Sequence, residues 1–241
     1  MPQDLAAPAV KMNTRLGTEA DVDPVDNPLV AASMDLVLKL RGGELTPLGF
    51  EQAVTELYDQ LDVEALLKPW TEKALAEKKM QVLYRYARPG INEAMQMVYL
   101  DPHEVHPPHT HHNIISKQVV LNAPIYIREY DVLARLSPDE LLLRLTTDRW
   151  FQPGEGMRTT ETRNNAHWFA AGDKPAVLLN FRLYGYQNYT LNGPDTPLLR
   201  RLLDPTVGRH SDGLLIGREV GLEECYGKFA GKPVESFPIP G

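Results

Sequence analysis

The chain has 241 residues, 43% hydrophobic and 24% charged, with a net charge of −7. That balance suits one soluble globular domain, or one domain with an appendage, and the absence of a Lys/Arg cluster argues against nucleic-acid and anionic-membrane partners. No apolar run approaches the roughly 18 residues of a membrane span.

Residues 1–27 are rich in Pro, Asp and small residues without periodicity, and read as a flexible N-terminal arm. Residues 28–79 follow a helical pattern. Leu29, Met34, Leu36, Val37 and Leu40 form a first stripe ended by Gly42-Gly43. Thr46-Pro47 opens a second helix with Phe50, Val54, Leu57 and Leu61, and Leu66, Leu67, Trp70 and Leu75 mark a third. From residue 80 the period becomes two, in the runs MQVLYRYA, MQMVYLD, IISKQVVLN, PIYIREYDVL, ELLLRLTTD, AHWFAA and PAVLLNFRLYG. Many short strands without intervening helices predict an antiparallel sandwich or barrel over 80–220. Asn122-Ala123-Pro124 is expected to join two paired strands. Asp195-Thr196-Pro197 is expected to open a short helix, LLRRLL, outside the barrel, and 221–241 to form a loose C-terminal wrap. The N-terminus has no continuous apolar signal core and Cys225 is the single cysteine, so a cytoplasmic, reducing setting is expected and a multi-thiolate zinc site is excluded.

Four of the seven histidines lie in His106-Pro107-Pro108-His109-Thr110-His111-His112. Side chains two apart on a strand share a face, so His109 and His111 can present two imidazoles to one point. His167, at the start of another strand-like run, is the candidate third ligand. Three neutral imidazoles would leave part of a transition metal's coordination sphere open for substrate or O2. The competing reading is of solvated loop histidines, since Pro107-Pro108 marks a loop. Alternation sends His112 to the opposite face, and His106 sits beyond the proline bend; either could orient a ligand's other nitrogen. Asn165 and Phe169 share the side of His167 and are candidates for a polar contact and an apolar wall.

Tyr84, Tyr86, Met95, Met97, Gln118, Tyr126 and Arg128 lie on strand-like runs and are further pocket candidates. Arg128 or Arg85 could clamp a substrate carboxylate through a forked pair of hydrogen bonds, with a solvated face as the competing reading. Core packing is the plainer account of the two methionines. Tyr184, Tyr186 and Tyr189 could edge a barrel mouth.

The two-histidine motif, followed by one histidine on a later strand, resembles the cupin superfamily. Many cupins carry a glutamate shortly after the pair. Here His112–Gln118 has no acid, which points to the three-histidine branch that includes the thiol dioxygenases. IISKQVVLNAPIYIREYD and NNAHWFAAGDKPAVLLNF are similar to segments of the cysteamine and plant cysteine oxidase group, a likeness running from Tyr99 to Gly185. The resemblance implies a mainly β, cupin-type antiparallel barrel (jelly roll) behind an N-terminal helical extension. It implies Fe(II) held by His109, His111 and His167, with Mn, Ni, Cu and Zn also compatible with the spacing. The expected activity is a dioxygenase taking O2 and a small anionic substrate that chelates the metal, a thiol among the candidates. Substrate contacts are expected from Arg85, Gln118, Tyr126, Arg128, Asn165 and Phe169. A lyase or isomerase using the same metal, and a non-enzymatic ligand-binding barrel, are the alternatives. A homodimer is expected where a sheet edge needs covering.

Overall fold

The computed structural model describes residues 20–88, 91–185 and 200–239. Three helices come first: α1 (Pro28–Arg41), α2 (Pro47–Gln60) and α3 (Val63–Glu77). Their starts follow local chemistry. Asn27 Oδ1 accepts from the Leu29 and Val30 amides, and Thr46 and Asp62 cap α2 and α3 in the same way. Pro28 and Pro47 occupy first-turn positions, where a missing N–H costs nothing.

Eleven strands follow among the described residues: β1 (Gln81–Arg88), β2 (Ile91–Leu100), β3 (Val105–His111), β4 (Ile114–Val120), β5 (Ile125–Arg135), β6 (Glu140–Phe151), β7 (Gly156–Thr159), β8 (Ala166–Ala171), β9 (Ala176–Tyr184), β10 (Arg200–Arg209) and β11 (Leu215–Glu219). They form two layers. One is an open sheet in the order β1-β2-β9-β4-β7. The other closes on itself as β10-β11-β6-β5-β8-β3. All pairings are antiparallel. The mainly β architecture behind N-terminal helices is therefore as expected.

Alternation decides what each face meets. On the open sheet, Met95, Met97, Ile115, Val119, Leu179, Phe181 and Leu183 turn outward and form one core with Leu29, Phe50, Val54 and Leu67 of the helices. The helices thus cover the outer face of the open sheet, and Met95 and Met97 are packing residues. The opposite face carries Gln96, Ser116, Gln118, Asn180 and Arg182 and looks into the space between the layers. Behind the closed layer, Trp168 packs on Phe229 and Phe237 of the C-terminal segment, at centroid distances of 5.2 and 5.4 Å. This segment contains α4 (Leu222–Phe229), in which Cys225 and Phe229 are buried, so it is a fitted cover rather than a loose wrap.

Three further expectations are revised. Arg200–Leu203 is the start of β10, not a helix: its backbone pairs with His109–His111, and Leu202 and Leu203 are buried. Residues 195–199 lie outside the described residues. Asn122-Ala123-Pro124 does not join paired strands. It carries the chain from β4 in the open sheet to β5 in the closed layer, with Asn122 Oδ1 accepting from Val177 N at 2.6 Å. Pro107-Pro108 lies within β3, where a bulge absorbs the missing donors. Residues 1–19 of the expected arm lie outside the described residues, while 20–27 run beside β1, Val22 and Arg85 exchanging backbone hydrogen bonds. No described helix is long and apolar enough to cross a membrane.

Candidate metal centre

His109 of β3 stands directly opposite His167 of β8, so both rings project from one face. His111, two residues on, shares that face. The three ring centroids are 4.7 Å (His109–His111), 4.6 Å (His109–His167) and 5.0 Å (His111–His167) apart. One nitrogen from each ring lies within 4.8 Å of the others, a spacing that a single ion can bridge.

The second nitrogen of each ring is engaged. His109 Nδ1–H donates to the Pro107 carbonyl at 2.7 Å, which leaves Nε2 as the lone-pair nitrogen. His167 Nδ1 lies 3.2 Å from Thr159 Oγ1, and His111 Nδ1 lies 3.3 Å from the Tyr184 hydroxyl. Such partners fix ring orientation and tautomer, as around metal-bound imidazoles. Burial holds all three basicities down, with the charge of Arg200 adding to the effect. His109 and His111 fall well below the usual histidine range, and His167 falls to about 3. All are neutral at physiological pH, the form that can ligate. The donor set therefore fits a transition metal, and His109, His111 and His167 would hold it.

The space around the rings lies between the layers and has a volume of about 70 Å³. Gln118 and Phe169 line it, as do Tyr184, Arg182 and Arg200. No carboxylate lines it among the described residues. A metal there would add to two guanidinium charges, so the cavity favours anions.

The remaining sequence candidates lie elsewhere. Arg128 is bound to Asp148 through Nε at 2.7 Å, donates to the Phe237 carbonyl at 2.7 Å, and stands over the Trp168 ring. It ties the C-terminal cover to the back of the barrel. Tyr126, on the same face of β5, donates to Asp148 at 2.7 Å. Arg85 sits on β1 at the edge of the open sheet and does not line the cavity. Asn165 precedes β8 rather than lying in it. Its Oδ1 accepts from Val132 N at 2.8 Å, its Nδ2 donates to the Glu161 carbonyl at 2.7 Å, and its own carbonyl accepts from His111 N at 2.7 Å. It therefore braces the start of β8 and the end of β3. Tyr84 is buried in the helix-side core, while Tyr186 and Tyr189 lie outside the described residues.

Two residues of the site escape simple alternation. His106 is three positions from His109, which on a regular strand would send it outward. The register shift between His106 and His109 cancels one step, so His106 stands opposite Phe169 and stacks on it at 4.6 Å. Its Nε2 accepts from the Arg200 guanidinium, which withholds that nitrogen from a metal. Burial and Arg200 keep it neutral, well below the usual histidine range. Arg200 itself pairs with His111 across β10 and β3 and so points inward. The proline pair was the available signal for the bulge; nothing local marks Arg200. His112, exposed, pairs with Glu161 at 2.6 Å away from the rings.

No family model and no curated protein matches the sequence. The chain is similar in structure to an oxalate oxidase, at 19% identity, covering 49% of this chain and 60% of that one with a TM-score of 0.32. It is also similar to a cupin superfamily protein from Desulfitobacterium hafniense, at 10% identity, covering 44% and 75% with a TM-score of 0.30. A third similar structure is the coconut allergen cocosin, at 16% identity, covering 37% of this chain but only 21% of that one, with a TM-score of 0.31. The chemistry of the site rests on its own side chains.

Proposed function

We propose that the chain is a cupin-type, metal-dependent oxygenase that takes O2 and a small anionic substrate able to coordinate the metal. The observation that carries this reading is the convergence of three neutral, buried imidazoles beside Arg182 and Arg200, in a cavity lined by no described carboxylate. Because the ligands are neutral, a divalent ion keeps its full charge and prefers an anionic donor such as a thiolate, enolate or carboxylate. A redox-active ion such as Fe(II), when bound, supplies substrate coordination and electron transfer toward O2. The protein's own part is positional. Pro107, Thr159 and Tyr184 aim the rings, Arg200 and Arg182 draw in and orient the anion, and Phe169, Ile114 and Leu178 keep bulk water out. Mn, Ni, Cu and Zn suit the same donors, and a lyase or isomerase would use the same cavity without consuming O2.

The test is metal analysis of protein purified without added metal, together with O2 uptake on a panel of thiols, hydroxy acids and phenols. One metal per chain, lost in His167→Ala, and substrate-dependent O2 uptake are the expected results. Full metal retention by His167→Ala refutes the ligand set. Turnover without oxygen, or full activity with zinc, moves the assignment to non-oxidative chemistry.

A further inference from the structure

The wall facing the histidines carries an arrangement that metal binding does not use. Gln96 of β2, Asn180 of β9 and Gln118 of β4 stand in one cross-strand row, since Asn180 pairs with both Gln96 and Gln118. The next row along places Ser116 beside Arg182. All five line the cavity. Three of their oxygens, Gln118 Oε1, Asn180 Oδ1 and Ser116 Oγ, are buried and meet no hydrogen-bonding partner among the described residues. Ser116 is 1% exposed and Gln118 4%.

Buried polar atoms left without partners are costly, and native interiors rarely leave several on one face. Three together, turned toward a candidate metal centre, are what a bound molecule would satisfy. Their chemistry selects that molecule. The two amide oxygens accept, so they call for donors, and in small acidic metabolites the commonest donors are hydroxyl and ammonium groups. The cavity's fixed charges, Arg182 and Arg200, oppose an ammonium. The donor is therefore a hydroxyl, and the arginines call for an acidic group on the same molecule.

Resting on the metal-centre reading above, we infer that the cavity recognises a small hydroxycarboxylic acid, with Arg200 and Arg182 on its carboxylate and the Gln118–Asn180–Ser116 wall on its hydroxyls. An apolar or purely aromatic substrate leaves that wall unsatisfied. Sites built to hydrogen-bond a hydroxyl reject analogues that lack it far more strongly than apolar pockets reject additions.

The test is anaerobic titration calorimetry of propionate, lactate and glycerate, which carry none, one and two hydroxyls on one skeleton. It is run on metal-loaded and metal-stripped protein. Affinity is expected to rise about five- to tenfold with each hydroxyl, the worth of a hydrogen bond to an otherwise unsatisfied buried group. Gln118→Leu should flatten the series while leaving propionate within about twofold of wild type, since one recognition partner is lost and the anion site is untouched. Ser116→Ala, a smaller change, should remove part of the increment if Gln118→Leu fails to fold. Equal affinity for all three acids in wild type, or binding of none, overturns the inference. So does equal weakening of all three by Gln118→Leu. A hydroxyl increment in protein that takes up no metal when metal is supplied upholds the polar wall and defeats the metal reading. One tightly held metal per chain with a flat series does the reverse.

Discussion

Glu129 gives the most quantitative prediction. It stands directly across from His167 in the β5–β8 pairing and is 2% exposed. Thr147 Oγ1 donates to its Oε2 at 2.8 Å, while Oε1 is buried and meets no hydrogen-bonding partner among the described residues. Burial pushes its carboxyl from 4.5 up to about 7, against the Thr147 hydrogen bond and the charge of Arg149. A raised carboxyl means that the folded chain holds a proton which the unfolded chain has already released. Stability from this group is complete below pH 4.5 and is lost as pH rises through about 7. Each tenfold difference in proton affinity is worth about 1.4 kcal/mol, so ionised Glu129 costs the fold about 3 kcal/mol at pH 8 and about 1 kcal/mol at pH 5. Glu129→Gln keeps the shape and cannot ionise. In chelator-treated protein, urea unfolding of the variant should therefore gain about 2 kcal/mol on wild type between pH 5 and pH 8. The histidines titrate alike in both proteins and cancel. An amide in place of the carboxyl adds an offset that does not change with pH. A difference between variant and wild type that stays constant across this range refutes the claim that a buried carboxyl is neutralised by its surroundings.

Three further outcomes are expected. Metal-free protein should lose stability in acid. His106, His109, His111 and His167 are all held below 6.5, so their contribution is complete above that pH and is lost as pH falls toward about 3, where His167 titrates. The slope is up to about 1.4 kcal/mol per pH unit per histidine, opposed above pH 4.5 by Glu129; a flat denaturation midpoint between pH 6.5 and pH 4 contradicts it. His106→Phe keeps the stack on Phe169 but removes the acceptor for Arg200, so propionate affinity by calorimetry should fall several-fold with metal content unchanged. Loss of metal instead would make His106 a ligand. Asn165→Ala removes two hydrogen bonds that clamp Val132 and Glu161, and should cost about 2 kcal/mol in urea unfolding while retaining metal. An unchanged midpoint would show that the clamp is dispensable.

The three N-terminal helices were legible because their signals are local. Thr46-Pro47 and Gly42-Gly43 act on the turns they sit in, whereas α4 carries no such signal and was missed. Most strands were legible from period two, and so was the shared face of His109 and His111. His167 was reached by combining a strand start with a family pattern. Arg128 and Tyr126 were on strands as expected, but alternation does not say which face is inner; here Trp168 and the C-terminal cover claim their side of β5.

By itself, then, the sequence determined the charge class, the presence of three N-terminal helices, the change of period near residue 80, and two imidazoles on a common face. The tertiary structure alone decided which strands meet. Backbone pairing between residues far apart in the chain is not written in any short window, because its strength comes from burial achieved only after closure. That closure sets Arg200 beside His111, and Gln96, Asn180 and Gln118 in one row. A single bulge at the two prolines turns His106 inward, since one residue of register is enough to exchange the faces of a strand.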